Sequence, residues 1–114
     1  MSVQATVMLR FYVVEDWRQD GVLFWEWLLQ TAQRLGLPGG TAVRTIAGFG
    51  RGHVLHESHF IELAGHDTVL VEFIVSSEEA ERLCAEVALG EVIPFAVQLP
   101  VSLCGFSRNK MPCE

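Results

Sequence analysis

Val69-Leu70-Val71-Glu72-Phe73-Ile74-Val75 runs directly into Ser76-Ser77-Glu78-Glu79, and the join between these two segments decides the fold. Val69, Val71, Phe73 and Val75 alternate with Leu70, Glu72 and Ile74, so both sides of a strand are apolar and the strand is read as buried on both faces. Ser76 to Glu79 then reads as a capping box, in which Ser76 accepts from the start of a helix and Glu79 reaches back. Ala80, Leu83, Cys84, Val87 and Ala88 recur at helical spacing, and Gly90 stops that helix.

Working outward, Ala5 to Val14 is a second fully apolar strand, with Val7, Leu9, Phe11 and Val13 on one side and Met8, Arg10, Tyr12 and Val14 on the other. After a polar turn from Glu15 to Gly21, a helix is expected over Val22 to Leu35, carried by Phe24, Trp27, Leu28, Thr31, Ala32 and Leu35. Gly36 and Pro38 end it. Thr41 to Ala47 is the next strand, and His59 to Leu63 is a possible arm of a hairpin beyond the loop that follows. Ile93, Phe95, Val97, Leu99 and Val101 alternate as the last strand. Pro94 and Pro100 cannot donate to a ladder, which puts that strand at a sheet edge.

The order is β-α-β-β-α-β, which predicts an α+β, ferredoxin-like sandwich: a four-stranded antiparallel sheet with two helices on one face. The uncovered face then carries Met8, Tyr12, Val14, Leu70 and Ile74, more contiguous apolar surface than a soluble monomer exposes, so it is expected to pack on other copies. Arg10 and Glu72 fall on neighbouring strands of that face. Pairing is the condition for burying either charge.

A chain of 114 residues, half of them hydrophobic, supports one core. Its domain is placed at residues 1–103, with a polar tail at 104–114 containing Gly105, Ser107, Asn109 and Pro112. The net charge of −6 argues against nucleic acid and anionic membrane as partners. No segment approaches the roughly 20 apolar residues of a membrane span, and no charged leader precedes a hydrophobic run, so a cytoplasmic location without membrane insertion is expected. Cys84 is read as a small buried thiol on the helix stripe. Cys104 and Cys113 are read as free thiols in a reducing cytosol, with a regulatory disulfide as the alternative.

The candidate binding segment is Val43-Arg44-Thr45-Ile46-Ala47-Gly48-Phe49-Gly50, followed by Arg51-Gly52-His53-Val54-Leu55-His56. Glycines at positions 48, 50 and 52 allow close approach of backbone N–H groups to an anion, and Arg44 and Arg51 supply charge. No helix follows, which excludes a dinucleotide fingerprint. On residue chemistry alone, Gly48, Gly50 and Gly52 fit a hairpin tip equally well, Phe49 is core, Arg44 is a solvated or paired strand residue, and Gly90 is a helix stop.

Together with Leu9-Arg10-Phe11-Tyr12-Val13 at the start, Val71-Glu72-Phe73-Ile74-Val75 later, and His56 after the loop, this segment resembles the PII-like family catalogued as domain-of-unknown-function family 190. The resemblance runs from about Val7 to Val101. It implies a homotrimer of ferredoxin-like protomers with sheets facing inward. It also implies clefts between protomers that hold an adenine nucleotide (ADP, AMP or ATP), and a loop that reports ligand state to a partner protein, a membrane transporter in the family-level expectation. Carried over by position, Gly48, Phe49, Gly50 and Arg51 form the base of the loop. Gly90, Glu91 and Val92 form the turn facing the phosphates, and Arg44 is the further cation. This chain departs from true PII proteins in lacking the lysine and multiple glycines of the turn Leu89-Gly90-Glu91-Val92-Ile93, and in carrying Thr45 where the family often has glycine. Arg108 and Lys110 of the tail are additional cations.

His53, His56 and His59, spaced three apart beside Glu57, support an alternative of another class: a trimeric metal-binding or metal-response protein of the CutA type. That spacing aligns imidazoles only on a helix, whereas the segment reads as loop and strand. No cofactor is required by either reading. Neither Ser58 beside His56 and His59 nor Cys84 offers a nucleophile, base and orienting group together, so an enzyme is not expected.

Overall fold

A computed structural model describes residues 5–49 and 67–106 and contains the expected elements in the expected order. They are β1 (Thr6–Val14), β2 (Arg18–Gln19), β3 (Val22–Leu23), α1 (Phe24–Arg34), β4 (Thr41–Arg44), β5 (Thr68–Ser76), α2 (Ser77–Ala88) and β6 (Phe95–Pro100). Four strands form an antiparallel sheet in the order β4-β5-β1-β6, so the two most apolar strands are central and the proline-bearing strand is an edge. This is the α+β, ferredoxin-like arrangement. Among the described residues no helix is long and apolar enough to cross a membrane.

The pairing register sorts every side chain. Phe11 is level with Val71, Ala96 and Ala42, and Leu9 with Phe73 and Gln98, on the face that α1 and α2 cover. Val7, Leu9, Phe11, Val13, Val71, Phe73 and Val75 are buried there against Phe24, Leu28 and Ala32 of α1 and Ala80, Leu83 and Val87 of α2. Phe11 and Phe73 meet edge to face, with ring centroids 6.2 Å apart.

The other face carries the rows Leu99, Met8, Ile74; then Val97, Arg10, Glu72, Thr41; then Phe95, Tyr12, Leu70, Val43. No element of the described chain covers it, and Val43, Ile74 and Leu99 are 46%, 40% and 43% exposed. The expectation that β5 is buried on both faces therefore holds for its helix side only, because no described element of the chain packs on the other. Arg10 and Glu72 are opposed in the register, as their strand positions suggested, with Nε to Oε2 at 2.8 Å. The Tyr12 hydroxyl first, and Glu72 second, push the Arg10 guanidinium further above its already high value.

Helix ends follow local chemistry. Ser76 Oγ accepts from the Glu79 N–H at 3.1 Å, and Glu79 Oε1 accepts from the Ser76 N–H at 2.9 Å, completing the capping box. At the end of α1, Gly36 takes φ +83 while its N–H reaches Gln33 O and the Leu37 N–H reaches Ala32 O. That is a Schellman stop with Leu37 tucked into the core.

Several boundaries and environments differ from expectation. The polar turn and the first two helical residues are instead a hairpin, β2–β3, whose Asp20 and Gly21 both have positive φ (54 and 84). This is the two-residue turn that Asp-Gly favours, and it holds Val22 and Leu23 extended. The strand expected over Thr41 to Ala47 ends at Arg44, because only Thr41 to Arg44 find ladder partners on β5. The last strand likewise narrows from Ile93–Val101 to Phe95–Pro100. Cys84, expected to be buried, is exposed: Ala80, Leu83 and Val87 fill the core-facing line and Cys84 lies beside it. Partial desolvation, and then Glu81, push its thiol up. Cys104 takes part in a disulfide, against the free-thiol reading; Cys113 and the arm His59 to Leu63 lie outside the described residues.

Two positions beside the core generate stability predictions. A methyl on Gly40 would stand 2.5 Å from Phe73 Cε1, and Phe73 is itself held in the core at 1% exposure. Gly40→Ala is expected to cost about 2 kcal/mol in urea denaturation. Thr31 is fully buried on α1 and its hydroxyl has no hydrogen-bond partner among the described residues. Thr31→Val keeps the shape, removes that hydroxyl, and is expected to stabilise by about 1 kcal/mol in the same assay.

Candidate functional site

Arg44 closes β4, on the row of the helix-side face that also holds Val69 and Val13. It is a paired strand residue: its Nη2 donates to Glu15 Oε2, and its Nε lies 3.4 Å from Asp67 Oδ2. Glu15, then Asp67, raise its pKa. Around it the chain is tied locally, with Glu15 N–H to Asp67 O at 2.8 Å and Thr45 N–H to Thr68 O at 2.9 Å. The Thr45 hydroxyl also donates to Thr68 O at 3.0 Å, a bond that a glycine at this position could not make.

Past Thr45 the chain leaves the sheet. Ile46 is fully exposed and Phe49 is 88% exposed, so Phe49 is not core. Gly48 has nothing within 4 Å of the place a Cβ would occupy, and its φ is not in the left-handed range. Gly50, Arg51, Gly52, His53, His56, Glu57, Ser58 and His59 lie outside the described residues, as do Arg108 and Lys110.

The second half of the candidate site is the turn between α2 and β6. Gly90 stands directly after the C-cap Leu89, where the helix stop is expected, and its N–H reaches Val87 O at 3.1 Å, but it does not adopt positive φ. Its lack of a side chain serves close packing: a Cβ there would lie 2.5 Å from the carboxamide of Gln19 in the β2–β3 hairpin. Val92 packs against the core and anchors the turn, while Glu91 is exposed.

Arg44 and the Gly90 turn stand at the same end of the sheet, since Arg44 is level with Val13 and the turn feeds β6 at Phe95 beside Tyr12. They are at opposite edges, with β5 and β1 between them. Three interstrand spacings of about 4.8 Å put these edges roughly 14 Å apart. A single phosphate cannot touch both within one chain. The hairpin–turn contact was not legible from the sequence, although Asp20-Gly21 was a usable signal for the hairpin. Gly90→Ala is expected to lower the thermal midpoint by only about one or two degrees, since the flexible end of Gln19 can swing aside; Gln19→Ala in the same chain should recover that loss.

The profile of domain-of-unknown-function family 190, described as "Uncharacterized ACR", matches residues 6–92. Over 87 residues the chain is 32% identical to the UPF0166 protein of Aquifex aeolicus (strain VF5), covering 76% of this chain and 83% of that protein. The matched span includes Arg44, the loop base and the Gly90 turn. The chain belongs to domain-of-unknown-function family 190, a PII-like family.

Proposed function

We propose that this chain is a regulatory protein of the PII-like type. It binds an adenine nucleotide in clefts between the protomers of a homotrimer and signals to a partner protein through the segment that follows β4. The observation that carries this reading is the placement of the two halves of the site. Arg44 and the Gly90–Val92 turn sit at one end of the sheet on opposite edges, so a ligand using both is best served by edges from two copies.

The uncovered sheet face supplies the reason for two copies to meet. Its three rows are apolar apart from Thr41 and the Arg10–Glu72 pair, which brings its own counter-charge. Burying this face against other sheets would tilt each β4 edge toward a neighbouring β6 edge.

Arg44 suits an effector that acts by exchange. Its guanidinium is already aligned by Glu15 and Asp67, and a phosphate offers the same charge-assisted geometry. Asp67 is the residue at which the described chain resumes after the loop. A ligand that takes Arg44 from Asp67 changes what holds the two loop ends together, and shifts the population of loop shapes by its differential affinity. The partner is a protein in the cytoplasm or a transporter facing it.

Titration calorimetry with ATP, ADP and AMP is expected to give saturable binding, weakened about tenfold by Arg44→Ala. Light scattering is expected to give three times the 12.7 kDa chain mass. A monomer mass at micromolar concentration, or no nucleotide binding together with zinc or copper uptake lost on replacing His53, His56 and His59, would sink the reading in favour of the metal-response class. Sustained nucleotide hydrolysis abolished by Arg51→Ala would make the protein an enzyme.

A further inference from the structure

A cavity of about 570 Å³ opens between the β2–β3 hairpin, α1 and the end of α2, well within the range of small-molecule sites. It is separate from Arg44 and the β4 edge, and shares with the nucleotide reading only the turn residues Gly90 and Glu91.

Its walls carry charges of both signs that are only loosely paired with one another. Arg34, in the last turn of α1, faces Glu86 of α2 at 3.9 Å, too far for a hydrogen bond. Arg18 of the hairpin makes a 3.4 Å contact with Gly21 O and is in no ion pair among the described residues. Glu86 and Glu91 flank the carbonyl end of α2, whose last turn has no basic residue to offset the helix dipole. One wall is therefore negative and the other two supply guanidinium groups. With Asp20, the lining side chains amount to two cations against three anions, which disfavours a polyphosphate.

Two features shape this half-open cavity. The Gln19 carboxamide lies where a side chain on Gly90 would stand, so the hairpin packs closely on the turn. Trp27 lines the space while stacking on Phe24, with centroids 5.5 Å apart and planes 12° from parallel. An indole held in that way gives an apolar surface beside the charged groups.

We infer that this cavity binds a free α-amino acid. Its carboxylate is held by Arg18 and Arg34, its ammonium by Glu86 and Glu91 at the end of α2, and its side chain rests on Trp27. Exchange of the long Arg34–Glu86 contact for two charge-assisted hydrogen bonds to the ligand makes room for a zwitterion without leaving either side chain unpaired.

The test is a thermal-shift and calorimetric screen of the common amino acids, each at about 10 mM, a concentration that detects millimolar affinity. For any that binds, its carboxamide and its N-acetyl derivative remove one ligand charge each. Binding is expected for at least one amino acid, weakened about tenfold or more by either derivative and by Arg34→Gln or Glu86→Gln. Those two side chains are partly exposed, and the unliganded melting temperature of each variant checks that it is folded. Absence of binding by every amino acid would overturn the inference, as would equal binding of the N-acetyl derivative or of acetate, which would make this a simple anion site. Binding unaffected by both variants would place the ligand elsewhere. Nucleotide binding measured in the same variants is expected to persist, so failure here is distinguishable from failure of the regulatory reading.

Discussion

The antiparallel pairing of β1 with β5 is the constraint on which everything else rests. It runs from Thr6 opposite Ser76 to Val14 opposite Thr68 without interruption. Both strands are apolar on both sides, so hydrophobic pattern alone does not choose between this register and one slipped by a residue. The opposed charges do choose. Arg10 lies against Glu72 only in this register, and a slip would move each away from its partner on an apolar face. A pair that adds little to stability by itself thus acts chiefly as a registry element.

Once that register is fixed, the positions of the candidate site residues follow. β4 pairs onto β5 and β6 onto β1, so Arg44 and the Gly90 turn emerge at the same end of the sheet with two strands between them. The ladder bonds are the rigid part. Arg44 is the last residue of β4 to be held by them, and Thr45 adds its N–H and hydroxyl to the Thr68 carbonyl before the chain departs from the sheet. The junction at this end has a sheet side fixed by the ladder and another side tied by the side-chain contacts of Arg44 with Glu15 and Asp67.

The β2–β3 hairpin gives the protomer a second feature at the helix side. In a bare βαββαβ fold the chain would pass from the first strand straight into the helix. Here Asp20 and Gly21 reverse it, Gln19 packs closely on Gly90, and a charged, half-open cavity forms between the two helices and the hairpin. The glycine directly after the cap of α2 is also where another element comes close. Gly36 is a stop signal that functions through its positive φ.

The sequence by itself determined the element order, the edge position of the proline-bearing strand, the capping box at Ser76, the stop at Gly36, the Arg10–Glu72 pairing and the family. The family rests on the resemblance of the quoted motifs and the Arg10–Glu72 pairing on matching two strand positions; the others depend on period or on local backbone chemistry, which a linear chain displays directly. The tertiary structure decided the exposure of Cys84 and of Phe49, the engagement of Arg44 by Glu15 and Asp67, the close approach of Gln19 to Gly90, and the cavity beside Trp27. Each of these turns on residues far apart in sequence whose distance is set by the packing of helices and hairpin on the sheet. Cys84 illustrates the difference: one position along a helix is a rotation of about 100°, enough to carry a side chain from the core line to its margin.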